Sequence, residues 1–264
     1  MEAPDAAPIL IQRDGAIATL TLNRPTRLNA VSRPLYDSLI EALTRLSAEA
    51  DTRVVVITGA GRAFSVGADL KAHGQTEPTL EERREYIATA QRANRLLQTV
   101  PKPVIAAVNG HAIGAGLELA LSCDLIIAAR EAKLRLPEIA LGTFLGGGVT
   151  YTLAQRVGLA KAKELVFLAT FIEGDEAERL GLVNRSVPSA EVLETAMSVA
   201  GQLAAMAPRP LALAKRLFDR AGVLDREVML GEEGQALLDC MQTRDWREGV
   251  DAFHERRQPR FTGS

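Results

Sequence analysis

The sequence predicts an α/β protein. Three observations carry that expectation: the apolar runs Val54–Thr58 and Val104–Val108, the amphipathic helical stretches that alternate with such runs, and a glycine-rich segment directly after each run. Uninterrupted apolar runs of this length suit strands buried on both faces, as parallel sheets require. Strands alternating with helices build α/β layers.

In chain order, residues 1–8 are acidic and contain proline, with no basic n-region or apolar h-region. They are expected to be a disordered terminus and not a signal peptide. Ile9–Arg13 and Ala16–Asn23 read as strands, and Asp14-Gly15 between them is a hairpin signal. Arg24-Pro25 ends the second strand. A helix follows over 34–48, with Leu35, Leu39, Leu43 and Leu46 on one face. Gly59 closes the Val54–Thr58 strand, and 61–67 reads as a loop. A charged amphipathic helix over 80–99 is broken by Pro101-Lys102-Pro103, ahead of the Val104–Val108 strand. Then come a helix over 115–123, a strand over 125–129, a glycine-rich stretch at 146–148, helices near 149–157 and 160–168, and a strand ending at Pro188. From 190 onward the pattern is mostly helical, punctuated by Pro208 and Pro210. This divides the chain into a core over 9–200 and a helical region over 201–264.

Bulk properties exclude several function classes. The 264 residues are 47% apolar and 24% charged, a composition of globular proteins. The 31 basic and 33 acidic residues nearly cancel, so no global field points to nucleic acid or an anionic membrane. Cys123 and Cys240 show neither a disulfide framework nor metal-ligand spacing, which suits a reducing cytoplasm. His73, His111 and His254 have no metal-binding spacing either. No apolar run approaches the ~18 residues of a membrane span.

The chemistry concentrates in three places. Asn109–Ala120 runs from a buried strand through Gly110, Gly114 and Gly116 into a helix whose first turn carries Glu118. Exposed N–H groups at a helix start favour negative charge, and small residues let a ligand approach the backbone. The second place, Gly59–Leu70, repeats the arrangement after the Val54–Thr58 strand, at the sheet edge where α/β proteins bind ligands. Two such loops can present two N–H groups to one oxygen, as an oxyanion hole does. The third is Leu136-Pro137-Glu138, an acidic side chain on a stiffened backbone. Taken singly, each has a plain reading: an acid that offsets a helix dipole, two tight turns, a surface glutamate.

Together the segments resemble the crotonase superfamily, the enoyl-CoA hydratase/isomerase group. The residues that carry the resemblance are Asn23-Arg24-Pro25 with Leu28-Asn29-Ala30, the Gly61–Leu70 loop, and Pro103–Gly110 running into Gly114–Asp124. They continue with Pro137-Glu138, Gly142 and Gly146–Gly148, then Glu176-Ala177 with Gly181-Leu182-Val183 and Pro188. The tail Glu248-Gly249, Ala252-Phe253, Glu255-Arg256-Arg257, Pro259 and Phe261 completes the set. The resemblance implies repeated ββα units in a spiral with C-terminal helices that trimerise, as a homotrimer or a dimer of trimers. It implies an acyl-CoA substrate and no metal or redox cofactor, CoA entering as part of the substrate. Ala68 and Ala115 would form the oxyanion hole, Glu118 would activate water, and Glu138 would deliver a proton to the α-carbon. Gly146 would hold the water. Arg27, Leu28, Ala30, Ala68, Asp69, Leu70, Lys71, Phe253 and Arg256 would contact the substrate or its CoA, Phe253 and Arg256 across a subunit boundary. Both acids favour hydration over double-bond isomerisation, which needs the Glu138 carboxylate alone. Arg135, Leu145 and Val149-Thr150-Tyr151 depart from the pattern and are expected to border the acyl pocket.

Competing readings fit less well. Gly110, Gly114 and Gly116 have the spacing of a dehydrogenase nucleotide loop, but no tyrosine is followed four residues on by lysine. Ser65 lacks a complete Gly-x-Ser-x-Gly setting. A non-catalytic RNA-binding or scaffold protein of the same fold lacks its basic stripe.

Overall fold

The structure, a computed structural model, describes residues 7–69 and 78–264. A three-part repeat organises the chain: a strand in a large sheet, a second strand, a helix. The hairpin β1 (Ile9–Asp14) and β2 (Ile17–Leu22) precedes helix α1 (Arg33–Ala48). Next come β3 (Val54–Gly59), β4 (Ala63–Ser65) and α2 (Leu80–Thr99), then β5 (Val104–Val108), β6 (His111–Ile113) and α3 (Ala115–Leu121). The fourth round is β7 (Leu125–Ala129) and β8 (Lys133–Arg135), followed by a 3-10 turn at Ile139–Leu141 and helices α4 (Val149–Val157) and α5 (Leu159–Leu168). Then follow β9 (Ile172–Glu173), α6 (Gly174–Arg179), β10 (Arg185–Val187) and four helices: α7 (Val192–Ala204), α8 (Pro208–Arg220), α9 (Arg226–Met241) and α10 (Arg244–Glu255).

The strands form two sheets. Six lie in the order β1-β2-β3-β5-β7-β10, and β4-β6-β8-β9 form a second sheet. The β1–β2 pair is antiparallel with Asp14 opposite Ile17, and Gly15 takes φ +54° at the turn. From β2 to β10 the large sheet is parallel. Every residue of β3 and β5 is buried, as their unbroken apolar character requires. The repeated ββα spiral is thus the observed architecture. The second sheet is the part that hydropathy missed: 61–67 was expected as a loop, yet it contains β4. Strands of two or three residues are too short to show alternation, and their pairing is supplied by the turn-to-turn stacking of the spiral.

Local chemistry sets the helix bounds. In α1, Pro34 lies in the first turn, where no N–H bond is lost. Leu35, Leu39, Leu43 and Leu46 form its buried stripe. Thr79 and Glu82 make a reciprocal capping box that starts α2. Helix α7 lies across β2, β3, β5 and β7. Beyond it, α8 is anchored by Lys215, whose ammonium is 2.8 Å from Asp124 Oδ2 and also donates to the carbonyls of Leu97 and Lys102. At the other end of the region, Arg53 just before β3 donates to the carbonyls of Ala204 and Phe261. The C-terminal tail is therefore pinned at the N-terminal edge of the sheet. No helix of the described residues is long and apolar enough to cross a membrane.

Replacing Lys215 with Met takes the ammonium from two carbonyls and from a largely buried carboxylate, which keeps only the Val104 N–H. Breaking such a pair costs about 3 kcal/mol, so K215M should unfold at clearly lower urea concentration with an unchanged m-value.

Candidate active site

The site forms where the C-terminal ends of β3 and β5 meet the second sheet. The two glycine-rich loops are tied together by Asn109, just after β5, whose amide donates to the carbonyls of Gly59 and Gly61 and accepts from Gly59 N–H. A second knot lies below them. Asn29 is fully buried: its amide donates to the carbonyls of Ala60 and Ala63 and accepts from Arg24 N–H, and its own carbonyl accepts from the Ser65 hydroxyl. Leu28 and Asn29 both sit in the left-handed region, at φ 51° and 56°. That conformation costs non-glycine residues roughly 1–2 kcal/mol each, and the amide network holds it in place.

From this knot the chain pairs with the loop after β4. Val31 bridges Ala68: Val31 N–H donates to Gly67 O at 2.7 Å and Asp69 N–H to Val31 O at 3.1 Å. Because N–H groups alternate along a strand, Ala68 N–H points away from Val31. On that side lies the start of α3. A Cβ at Gly67 would sit 2.7 Å from Ile113 O and 3.4 Å from Ala115 N. Ala115 is the first residue of α3, so its N–H has no intrahelical partner. Among the described residues neither the Ala68 nor the Ala115 N–H donates to a protein acceptor.

Two carboxyl groups face this space. Glu118, 5% exposed, lies in the first turn of α3, and its Oε1 accepts from Gly146 N–H at 2.9 Å. Burial pushes its pKa above the ordinary carboxylate range, against the bonds from Gly146 and Gly147 N–H. Gly147 packs so closely that a Cβ there would stand 2.9 Å from Glu118 Oε2 and 3.1 Å from Asn94 Cγ. Glu138, 9% exposed, lies against the turn that opens α3: a Cβ at Gly114 would meet its Oε1 at 2.8 Å. Its Oε2 is buried with no hydrogen-bond partner among the described residues. Burial, aided by the charge of Glu118 and opposed by a bond from its own backbone N–H, pushes Glu138 up to about 7, so it exchanges a proton near neutral pH. Beyond the acids, Tyr36 and Tyr86 stack edge to face at 5.9 Å, and burial followed by nearby charges that include Glu118 raises both phenols. Among the described residues, no three His, Cys, Asp or Glu side chains gather to hold a metal ion.

The model of the family described as "Enoyl-CoA hydratase/isomerase" matches residues 12–264. The chain belongs to the enoyl-CoA hydratase/isomerase family. It is 35% identical to a short-chain-enoyl-CoA hydratase of Clostridium acetobutylicum, over 95% of both chains. It is also 35% identical to the 2,3-dehydroadipyl-CoA hydratase of Escherichia coli, over 97% of this chain and 98% of that one. A crystal structure of an enoyl-CoA hydratase from Bacillus anthracis superposes with a TM-score of 0.94 at 36% identity, over 97% of this chain and all of the other.

Of the residues expected at the site, the structure brings Ala68, Asp69, Ala115, Glu118, Glu138 and Gly146 together, with Arg27, Leu28 and Ala30 on the adjoining segment. Gly146 N–H, expected to hold water, donates to Glu118 instead, because a buried carboxylate draws the nearest donors. Leu70 and Lys71 lie outside the described residues. Phe253 lies in α10 and Arg256 caps its C-terminus, and the docking of this helix through the C-terminal tail and Arg53 places both at the opposite edge of the large sheet. Two of the departing side chains do not turn toward the acids. The Tyr151 hydroxyl reaches the carbonyls of Asp219 and Ala221 at the end of α8. Arg135 donates to Ala169 O and stacks on Phe171, while its own carbonyl accepts from Gly114 N–H. Sequence reading missed Tyr36, Tyr86 and Asn94, which look there like ordinary members of amphipathic helices.

Glu138 gives a pH signature. A carboxyl whose folded-state pKa is raised from 4.5 to about 7 stabilises the fold relative to a charged group only below its unfolded value, and that contribution is lost as pH rises through about 7. Glu138→Gln does not titrate, so its thermal midpoint should gain on wild type between pH 5 and pH 8, by at most about 3 kcal/mol in stability.

Proposed function

We propose that the protein is a hydro-lyase that adds water across the double bond of a 2-enoyl-CoA thioester, giving a 3-hydroxyacyl-CoA. The observation that carries this reading is the pair of buried glutamates beside two unused backbone donors. The thioester oxygen takes bonds from Ala68 and Ala115 N–H as enolate charge develops on it. Glu118 removes a proton from water as its oxygen attacks the β-carbon. Glu138, titrating near 7, is partly protonated at neutral pH and gives its proton to the α-carbon. It also orients the same water. Gly146 and Gly147 N–H hold the Glu118 carboxylate in place. The resting state returns when the proton gained by Glu118 passes back to Glu138 through solvent.

CoA follows the segment Arg27, Leu28 and Ala30, which meets its adenine, Asp69 and Leu70 contact the substrate, and Lys71 meets a CoA phosphate. Phe253 and Arg256 reach it from a neighbouring subunit of a homotrimer or dimer of trimers. Their place at the far edge of their own sheet supports this, as do the exposed apolar side chains of α9 and α10, among them Leu230, Leu237, Trp246 and Phe253. Neither nucleic acid nor a membrane enters the reaction. No metal or redox group is required, since the acids and the backbone donors supply each step.

Loss of absorbance from crotonyl-CoA tests the reading. Wild type should hydrate it, and Glu118→Ala and Glu138→Ala should each lose about 10²–10⁴-fold in kcat. Wild type inactive on crotonyl-CoA and longer enoyl-CoAs, yet shifting the double bond of a 3-enoyl-CoA with Glu138 alone required, would establish the isomerase in its place. Gly147→Ala should also lower kcat at least tenfold with the fold intact, because the added methyl displaces Glu118.

A further inference from the structure

We propose that Arg24 is a positioning residue for the reaction, acting as a cross-brace that sets the Ala68 N–H against the Ala115 N–H. This rests on the oxyanion role given above to those two groups. Arg24 lies just past the end of β2, within the Asn-Arg-Pro turn. Its guanidinium bonds two segments at once: Nη1 donates to Ala30 O at 2.5 Å and Nη2 to Asp69 Oδ2 at 2.9 Å. Ala30 and Asp69 are each one residue from the two partners of the Val31–Ala68 bridge.

That placement matters because the bridge is isolated. Within a ladder, neighbouring pairs fix the register of any one pair. Here, among the backbone bonds of the described residues, the register rests on two between Val31 and the Gly67–Asp69 backbone and one from Val66 N–H to Leu28 O at 3.2 Å, beside the Ser65 hydroxyl bond to Asn29 O. Ala68 N–H is aimed by this register and not by a bond of its own, since it makes no protein hydrogen bond among the described residues. A donor must meet the developing oxyanion within a few tenths of an ångström to be effective. The segment across the bridge is itself strained at Leu28 and Asn29. Arg24 N–H, bonded to Asn29 Oδ1 at 2.9 Å, connects the brace to the knot that holds this strain. The pair is shielded, with the Asp69 side chain 10% exposed and that of Arg24 26%.

A planar fork is needed to bridge a carbonyl and a carboxylate at once, and lysine offers only a point charge on a flexible stem. The brace touches neither acid. Its loss should therefore move the carbonyl's polarisation and leave the proton-transfer groups as they were.

The test compares wild type, Arg24→Met, Arg24→Lys and, as a control for destabilisation alone, Lys215→Met, at a temperature where all are folded by circular dichroism. Two readouts are taken: crotonyl-CoA hydration, and the near-ultraviolet band of the enolate formed by bound acetoacetyl-CoA, whose carbonyl occupies the same donors. Removing an oxyanion donor outright costs about 10²–10³ in kcat; displacing one through R24M should cost about 10–100-fold, with KM changed by less than about threefold. R24M should also lose most of the enolate band while still binding acetoacetyl-CoA by calorimetry, R24K should recover part of both signals, and K215M should retain both. The pH dependence of residual R24M hydration should match wild type, because Glu118 and Glu138 are not moved. An R24M enolate band and kcat within twofold of wild type would overturn the proposal, as would equal losses in R24M and K215M. If wild type hydrates no enoyl-CoA, the hydratase reading falls, and the acetoacetyl-CoA arm still decides the role of Arg24.

Discussion

The buried amide of Asn29 is the interaction on which the site depends. One side chain satisfies the backbone of three segments: the turn after β2 at Arg24 N–H, the loop after β3 at Ala60 O, and β4 at Ala63 O, while the Asn29 carbonyl accepts from the Ser65 hydroxyl. A buried amide left unpaired costs about 1–3 kcal/mol per group, so the network forms as a whole or not at all. It holds Leu28 and Asn29 at positive φ, sends Val31 alongside Ala68, and thereby brings the second glycine-rich loop against the start of α3. Asn109 performs the matching task at the top of β5. Two asparagines thus hold together loops that belong to different turns of the spiral.

The electrostatics of the acids follow from that closure. Neither glutamate is offset by a basic side chain; burial dominates both, and backbone N–H groups are the counterweight for Glu118. Glu138 has only the N–H of its own residue in that role, and its Oε2 has no partner among the described residues. The two carboxyls therefore differ in proton affinity although their side chains are chemically identical. The difference originates in the glycine loop that donates to one and not to the other.

Much of this was legible in the sequence, for identifiable reasons. The β3 and β5 strands announce themselves because both faces are buried and every position is apolar. The hairpin was readable from Asp14-Gly15, and α1 from its leucine spacing. Glu118 and Glu138 stood out as acids in glycine- and proline-marked surroundings. The second sheet was not legible, since Ala63–Ser65 and His111–Ile113 are too short to carry a period. The brace between Arg24 and Asp69 joins residues far apart in the chain and leaves no local trace. Tyr36 and Asn94 occupy helical positions where an apolar or a solvated residue reads equally well, and only the packing of α1, α2 and α3 shows that they border the acids. Tyr151 and Arg135 were expected near the acyl pocket because they depart from the family's pattern at positions that border it. Their side chains instead secure α8 and the Ala169–Phe171 segment.

The closeness of Gly147 and Gly114 to the two acids has a consequence for how the protein can diversify. On that wall a single methyl group collides with a carboxylate oxygen or with Asn94, so the backbone side of the site has no room for variation. The facing helices contribute side chains instead, among them Tyr36 and Tyr86, which pack edge to face near Glu118. The acids are thus locked by the main chain around them, and a substitution in that wall acts on the acids before it acts on anything bound beside them.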